Sequence, residues 1–132
     1  VDVLKLDPAE LQFDVILSCS TIEHVGLSGR YNSNEAEDGD VDAMRHMRKL
    51  MKPGGKMILT LSVGRDEVFR PFHRVYGPVR LPLLLEGYKI LDEFYWRKDG
   101  ANVWQRCSKD EAFLEQGSLR YYGLGFCVLE AE

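Results

Sequence analysis

Apolar and polar residues alternate over residues 1–6 and stop at Asp7-Pro8, where proline removes an amide donor; this pattern predicts a short first strand. Residues 13–19 are nearly continuous in apolar and β-branched side chains. That is the signature of a strand buried on both faces, so it is expected at the centre of a parallel sheet. A short helical turn over residues 21–25 leads into a polar stretch, 26–40, that reads as a long loop. Asp40 is placed to cap the next helix, in which Val41, Met44, Met47, Leu50 and Met51 recur at helical spacing and Arg45, Arg48 and Lys49 take the opposite face. Lys52-Pro53-Gly54-Gly55 ends that helix, and residues 56–62 form a second buried strand. Strand, helix and strand make a right-handed βαβ unit, which implies a parallel sheet covered by helices.

The remaining segments predict a loop over residues 63–77, an apolar helix over 79–86 and a strand over 88–96. A turn at Lys98-Asp99-Gly100 returns the chain through residues 101–106. Ser108 with Glu111 three residues on marks a capping box for a short helix, and residues 122–129 close as a last strand. With 132 residues, 45% of them hydrophobic, the chain supports one domain, expected to span residues 1–132. No apolar run approaches the roughly 18 to 20 residues that a bilayer demands. A net charge of −4 gives no general attraction to nucleic acid or anionic lipid, so neither is expected as a partner. Three widely spaced cysteines, Cys19, Cys107 and Cys127, fit a reducing, cytoplasmic setting better than a disulfide framework. The chain opens on Val1 directly in an apolar alternation, as if entered partway.

Phe13-Asp14-Val15-Ile16, then Thr21-Ile22-Glu23-His24-Val25, then a helix running into Leu50-Met51-Lys52-Pro53-Gly54-Gly55-Lys56-Met57-Ile58-Leu59, is similar to the fourth strand, crossover helix and fifth strand of class I S-adenosylmethionine-dependent methyltransferases. Gly26-Leu27, Arg30-Tyr31 and Phe72-His73-Arg74-Val75-Tyr76 resemble an uncharacterised methyltransferase-like branch with EH-GL-RY and HRV-aromatic segments. The resemblance implies an α/β fold: a truncated doubly wound, mainly parallel sheet with antiparallel carboxyl-terminal strands, binding S-adenosylmethionine outside the carboxyl ends of its strands. It also implies methyl transfer to an unidentified acceptor, a small molecule or another kind.

One element of that family is missing. No glycine-rich turn lies between a buried strand and a helix, because Gly26-Leu27-Ser28-Gly29, Pro53-Gly54-Gly55 and Gly123-Leu124-Gly125 all fall elsewhere. About the first third of such a domain is therefore absent, which would bare the edge of residues 13–19. The chain is then a fragment, or pairs that edge with another chain such as a second copy, or docks residues 1–6 against it. The alternative to an enzyme is a non-catalytic, self-associating or partner-binding module.

Within the resemblance, Asp7 stands near the adenine and Ser18, Cys19 and Ser20 near the methionine portion of the cofactor. Glu23, His24, His73 and Arg74 fall beside the acceptor as catalytic candidates, with histidine suited to moving a proton near neutral pH. Some metal-dependent relatives that methylate RNA ends use a Glu-His pair and a later His here, making Glu23, His24 and His73 an alternative metal set. The preceding acidic ligand of that pattern falls on Ser20, so no metal is expected.

Overall fold

The computed structural model describes residues 2–31 and 34–132. Seven strands are named in chain order: β1 Phe13–Cys19, β2 Met51–Val63, β3 Glu67–Phe69, β4 His73–Val75, β5 Tyr88–Lys98, β6 Trp104–Cys107 and β7 Gly123–Ala131. The helices are α1 Ser28–Tyr31, α2 Gly39–Lys49, α3 Arg80–Leu84 and α4 Lys109–Phe113, with 3₁₀ turns at Val3–Lys5 and Ile22–His24. Five strands form one sheet in the order β1-β2-β7-β5-β6, and β3 and β4 form a separate hairpin.

β1 runs parallel to β2 through the α2 crossover, as the hydrophobic pattern predicts. β7 inserts antiparallel between β2 and β5, so β1, β2 and β5 run one way and β7 and β6 the other. This is a mixed α/β fold with antiparallel strands at its carboxyl-terminal side.

The core lies between one sheet face and the helices. Alternate β2 residues Met57, Leu59, Leu61 and Val63 are fully buried there with Cys127 and Leu129 of β7, against Met44 and Met47 of α2 and Leu81 and Leu84 of α3. Fully burying one such aliphatic side chain contributes about 1.5–3 kcal/mol. Ser108 caps α4 by accepting from the Glu111 amide while the Glu111 carboxylate accepts from the Ser108 amide, completing the capping box seen in the sequence.

Four expectations are corrected. Residues 1–6 form no strand: Val1 lies outside the described residues, and Asp2 accepts from the Leu4 amide to start the 3₁₀ turn Val3–Lys5. That turn packs on α2, where the His46 Nε2–H donates to the Leu6 carbonyl at 2.9 Å, so it does not dock on β1. β1 is an edge strand rather than a central one, leaving Val15 53% and Leu17 66% exposed. Asp40 does not cap α2; it lies inside the first turn, fully buried, while Asp38 holds the cap position without a capping bond, its carboxylate accepting from Arg80 instead. Finally, the two stretches read as loops contain structure, α1 in the first and the β3–β4 hairpin in the second.

Candidate functional site

β1 and β2 end side by side, and the segments beyond their carboxyl ends fold over the same rim. After β1, Ser20 takes a left-handed backbone (φ 46°), and its amide donates to Thr60 on β2 at 3.0 Å, to both the carbonyl and the hydroxyl. After β2, the chain turns into the β3–β4 hairpin, which is tied back by the Tyr76 amide donating to the Ser62 carbonyl and the Ser62 hydroxyl donating to the Arg74 carbonyl. The hairpin therefore carries His73 toward the 3₁₀ turn that holds Glu23 and His24.

The two histidine rings stand 6.2 Å apart, edge to face. His24 Nδ1–H donates to the Phe72 carbonyl at 2.6 Å, and His73 Nε2–H donates to the Ser118 carbonyl at 3.1 Å. A carbonyl only accepts, so each bond fixes which nitrogen holds the proton. For His73 this leaves Nδ1 as the basic atom. Burial holds both rings below the usual histidine range, opposed by the carbonyl bonds and aided by Arg30 beside His24 and by His24 beside His73. Both are neutral near pH 7.

The histidines line a cleft of about 530 Å³ with Gly29, Arg30, Phe72, Leu119 and Arg120, a size suited to a small molecule. Gly29 makes this wall possible. Its amide donates to the Pro71 carbonyl at 2.8 Å, and a Cβ there would stand 2.7 Å from that oxygen and 2.8 Å from the Phe72 ring. Gly29→Ala is expected to push Phe72 outward and to lower stability by about 1–3 kcal/mol, measured by urea unfolding; an unchanged midpoint would show that the wall yields freely.

Glu23 is 3% exposed behind the cleft, and its Oε2 has no hydrogen-bond partner among the described residues. Burial, partly offset by backbone donors and the Arg30 charge, pushes its carboxyl up to about 7. Arg74 points away from the cleft. Its guanidinium donates to the carbonyls of Val25, Ala36 and Glu37 and pairs with buried Asp40 at 3.6 Å, locking the 26–40 connection to the hairpin.

Of the cofactor candidates, Ser18 is buried while Cys19 and Ser20 are exposed at the end of β1. Asp7 is not brought to them. Its carboxylate accepts from the Ala9 amide at 2.8 Å, in the turn that enters β1, beside the Leu6 carbonyl held by the last turn of α2. Among the described residues no three His, Cys, Asp or Glu side chains are gathered to hold a metal ion, so Glu23, His24 and His73 do not assemble as a ligand set.

Residues 5–124 match the model of a family described as Caenorhabditis protein of unknown function, DUF268. The chain belongs to the DUF268 family. Over 76 residues, 58% of this DUF268 chain and 32% of the relative, it is 33% identical to a protein of Encephalitozoon cuniculi (strain GB-M1) that bears a provisional methyltransferase name. Its fold is that of the class I methyltransferases. The N-methyltransferase NodS from Bradyrhizobium japonicum WM9, in complex with S-adenosyl-L-homocysteine, matches 99% of the chain with a TM-score of 0.57 at 18% identity. The CcbJ methyltransferase from Streptomyces caelestis matches 99% with a TM-score of 0.53 at 16% identity. The DUF268 chain spans 52% and 62% of those two structures and about a third of the curated relative.

Proposed function

We propose that this chain supplies the acceptor side, and one wall of the cofactor site, of an S-adenosylmethionine-dependent methyltransferase acting on a small molecule. The observation that carries this reading is the cleft beyond the carboxyl ends of β1 and β2, where open α/β sheets keep their ligands, with a neutral histidine on its wall. Bound there, S-adenosylmethionine would supply an electrophilic methyl group on a sulfonium.

The fit to that cofactor is partial. Small Ser18, Cys19 and Ser20 at the end of an open edge strand leave room for its methionine portion, while the glycine-rich turn and the acid for the ribose are not among these residues. The rest of the pocket would come from outside these 132 residues. On the acceptor side, His73 Nδ1 would take the proton released by the nucleophile, a role supported by the Ser118 carbonyl holding the other nitrogen protonated. Phe72 and Leu119 give the cleft an apolar side against which an acceptor would be oriented, and orientation does much of the work in such a transfer.

Titration with S-adenosylhomocysteine tests the cofactor wall. Binding tighter than about 100 μM, or about −5.5 kcal/mol, supports the reading, and Cys19→Phe is expected to weaken it about tenfold without unfolding the chain. A folded sample that does not bind overturns it for this polypeptide. A second reading, self-association, is favoured by the exposed Val15 and Leu17 on the open β1 edge; a dimer that persists on dilution in sedimentation experiments would support it.

A further inference from the structure

We infer that the molecule held in the cleft carries an anionic group, a carboxylate or a phosphate, joined to a small apolar or aromatic portion. The inference rests on the cleft being the acceptor pocket and adds the chemical class of the acceptor. Of the seven lining residues, two are arginines, Arg30 and Arg120, and none is an aspartate or glutamate; His24 and His73 spend their N–H groups on the Phe72 and Ser118 carbonyls. That bias runs against the whole chain, in which 21 acids outnumber 17 lysines and arginines.

The other arginines divide into those held by carboxylates and those that are not. Arg74 and Arg80 pair with Asp40, Arg97 with Glu111, and Arg70 with Glu35, so carboxylates quench these cations where they sit. Arg120, like Arg48, Arg65 and Arg106, has no carboxylate within ion-pair distance among the described residues, and of these four it is the one on the wall of the cleft. A guanidinium so placed matches the two oxygens of a carboxylate or phosphate with paired N–H donors. Arg30 adds to the same field, which already acts on the nearby Glu23 and His24.

A cationic acceptor is disfavoured on the same grounds, since the wall offers it no carboxylate. Neither nearby acid is on the lining: Glu23 is buried, and Glu35 accepts from Ser28 and pairs with Arg70. The apolar portion is assigned to Phe72 and Leu119, which remain 44% and 55% exposed beside the donors. A cleft of about 530 Å³ holds a molecule of that size and excludes most of a folded macromolecule.

The test uses four probes of similar shape and different charge: phenyl phosphate, benzoate, benzyl alcohol and benzylamine, titrated into the chain by ligand-observed NMR. The expected result is that one or both anions bind about tenfold more tightly than the alcohol and the amine, with the tighter anion separating phosphate from carboxylate. Arg120→Ala should remove most of that preference and Arg120→Lys should retain part of it, while Arg45→Ala, on the exposed face of α2, should leave it intact. Equal binding of benzylamine, or anion binding unchanged in Arg120→Ala, overturns the inference. Parallel titration with S-adenosylhomocysteine separates the two readings: anion preference without cofactor binding upholds the charge selection and removes methyl transfer, and cofactor binding without anion preference does the reverse.

Discussion

Replacing Asp40 with alanine is expected to cost about 3–5 kcal/mol of folding stability, the largest single loss this fold offers outside its apolar core. The carboxylate is fully buried. Its Oδ2 accepts from the Tyr76 hydroxyl at 2.9 Å and from Arg80 Nε at 3.2 Å, its Oδ1 accepts from Arg80 Nη2 at 2.5 Å, and Arg74 Nε lies 3.6 Å away. Removing it strands the Arg74 guanidinium, only 3% exposed, with no counter-charge in a region where charge is poorly solvated. The loss reaches the cleft as well, because the same guanidinium holds the carbonyls of Val25, Ala36 and Glu37. Tyr76→Phe, which deletes one neutral donor, is expected to cost only about 1 kcal/mol. Urea unfolding of the two variants checks the ranking, and an Asp40→Ala loss no greater than that of Tyr76→Phe would show that the arginines find other partners.

The second prediction concerns pH. Glu23 is an acid whose folded pKa, about 7, lies above its ordinary value of 4.5, so its contribution to stability is full below about pH 4.5 and is lost as pH rises through 7. The folded state retains the proton that the unfolded chain has already released. The difference is worth about 3 kcal/mol once both are ionised. Glu23→Gln removes the ionisation while keeping the shape, so it should match the parent near pH 4.5 and exceed it in stability by about 3 kcal/mol at pH 8. Unfolding free energies measured from pH 4.5 to 8 decide this: a variant-to-parent difference that stays flat across the range would mean the carboxyl is better solvated than its burial indicates.

Much of this fold was legible because the relevant signals were local. The largely apolar runs of β1 and of residues 56–62 in β2, the helical spacing of Met44 and Met47, and the Ser108–Glu111 box each needed only neighbours in sequence to be read. The position of β1 did not, since a run of apolar residues suits any strand, and only the partners available decide whether it ends inside the sheet or at its edge. Val15 and Leu17 are exposed for want of a neighbour, not for want of hydrophobicity. The first six residues alternate as a strand should, yet with no partner strand Asp2 closes a 3₁₀ turn instead.

The site shows the same division. His24 and His73 were recognisable as candidates because each directly follows or closely trails an apolar strand. Asp40 was read as a cap because its true partners, Tyr76, Arg74 and Arg80, lie more than 30 residues away and a charge beside a helix start has a simpler local explanation. Arg74 was placed beside the acceptor by the segment it belongs to, whereas its guanidinium turns inward to that acid. Arg120 gave no signal at all; only the folding of the 118–120 loop against His73 brings it to the cleft.

The position of β7 has a consequence for how the molecule is made. The strand that joins β2 to β5 is the last of the seven in chain order, so during synthesis both of its neighbours leave the ribosome before it does. Until residues 123–131 emerge, β2 and β5 each present an unpaired edge, and the apolar positions of the two halves have no seam to close. The nascent sheet is therefore two separate pieces awaiting a shared centre, and the interval between translating β5 and β7 is when this protein most needs protection from its neighbours.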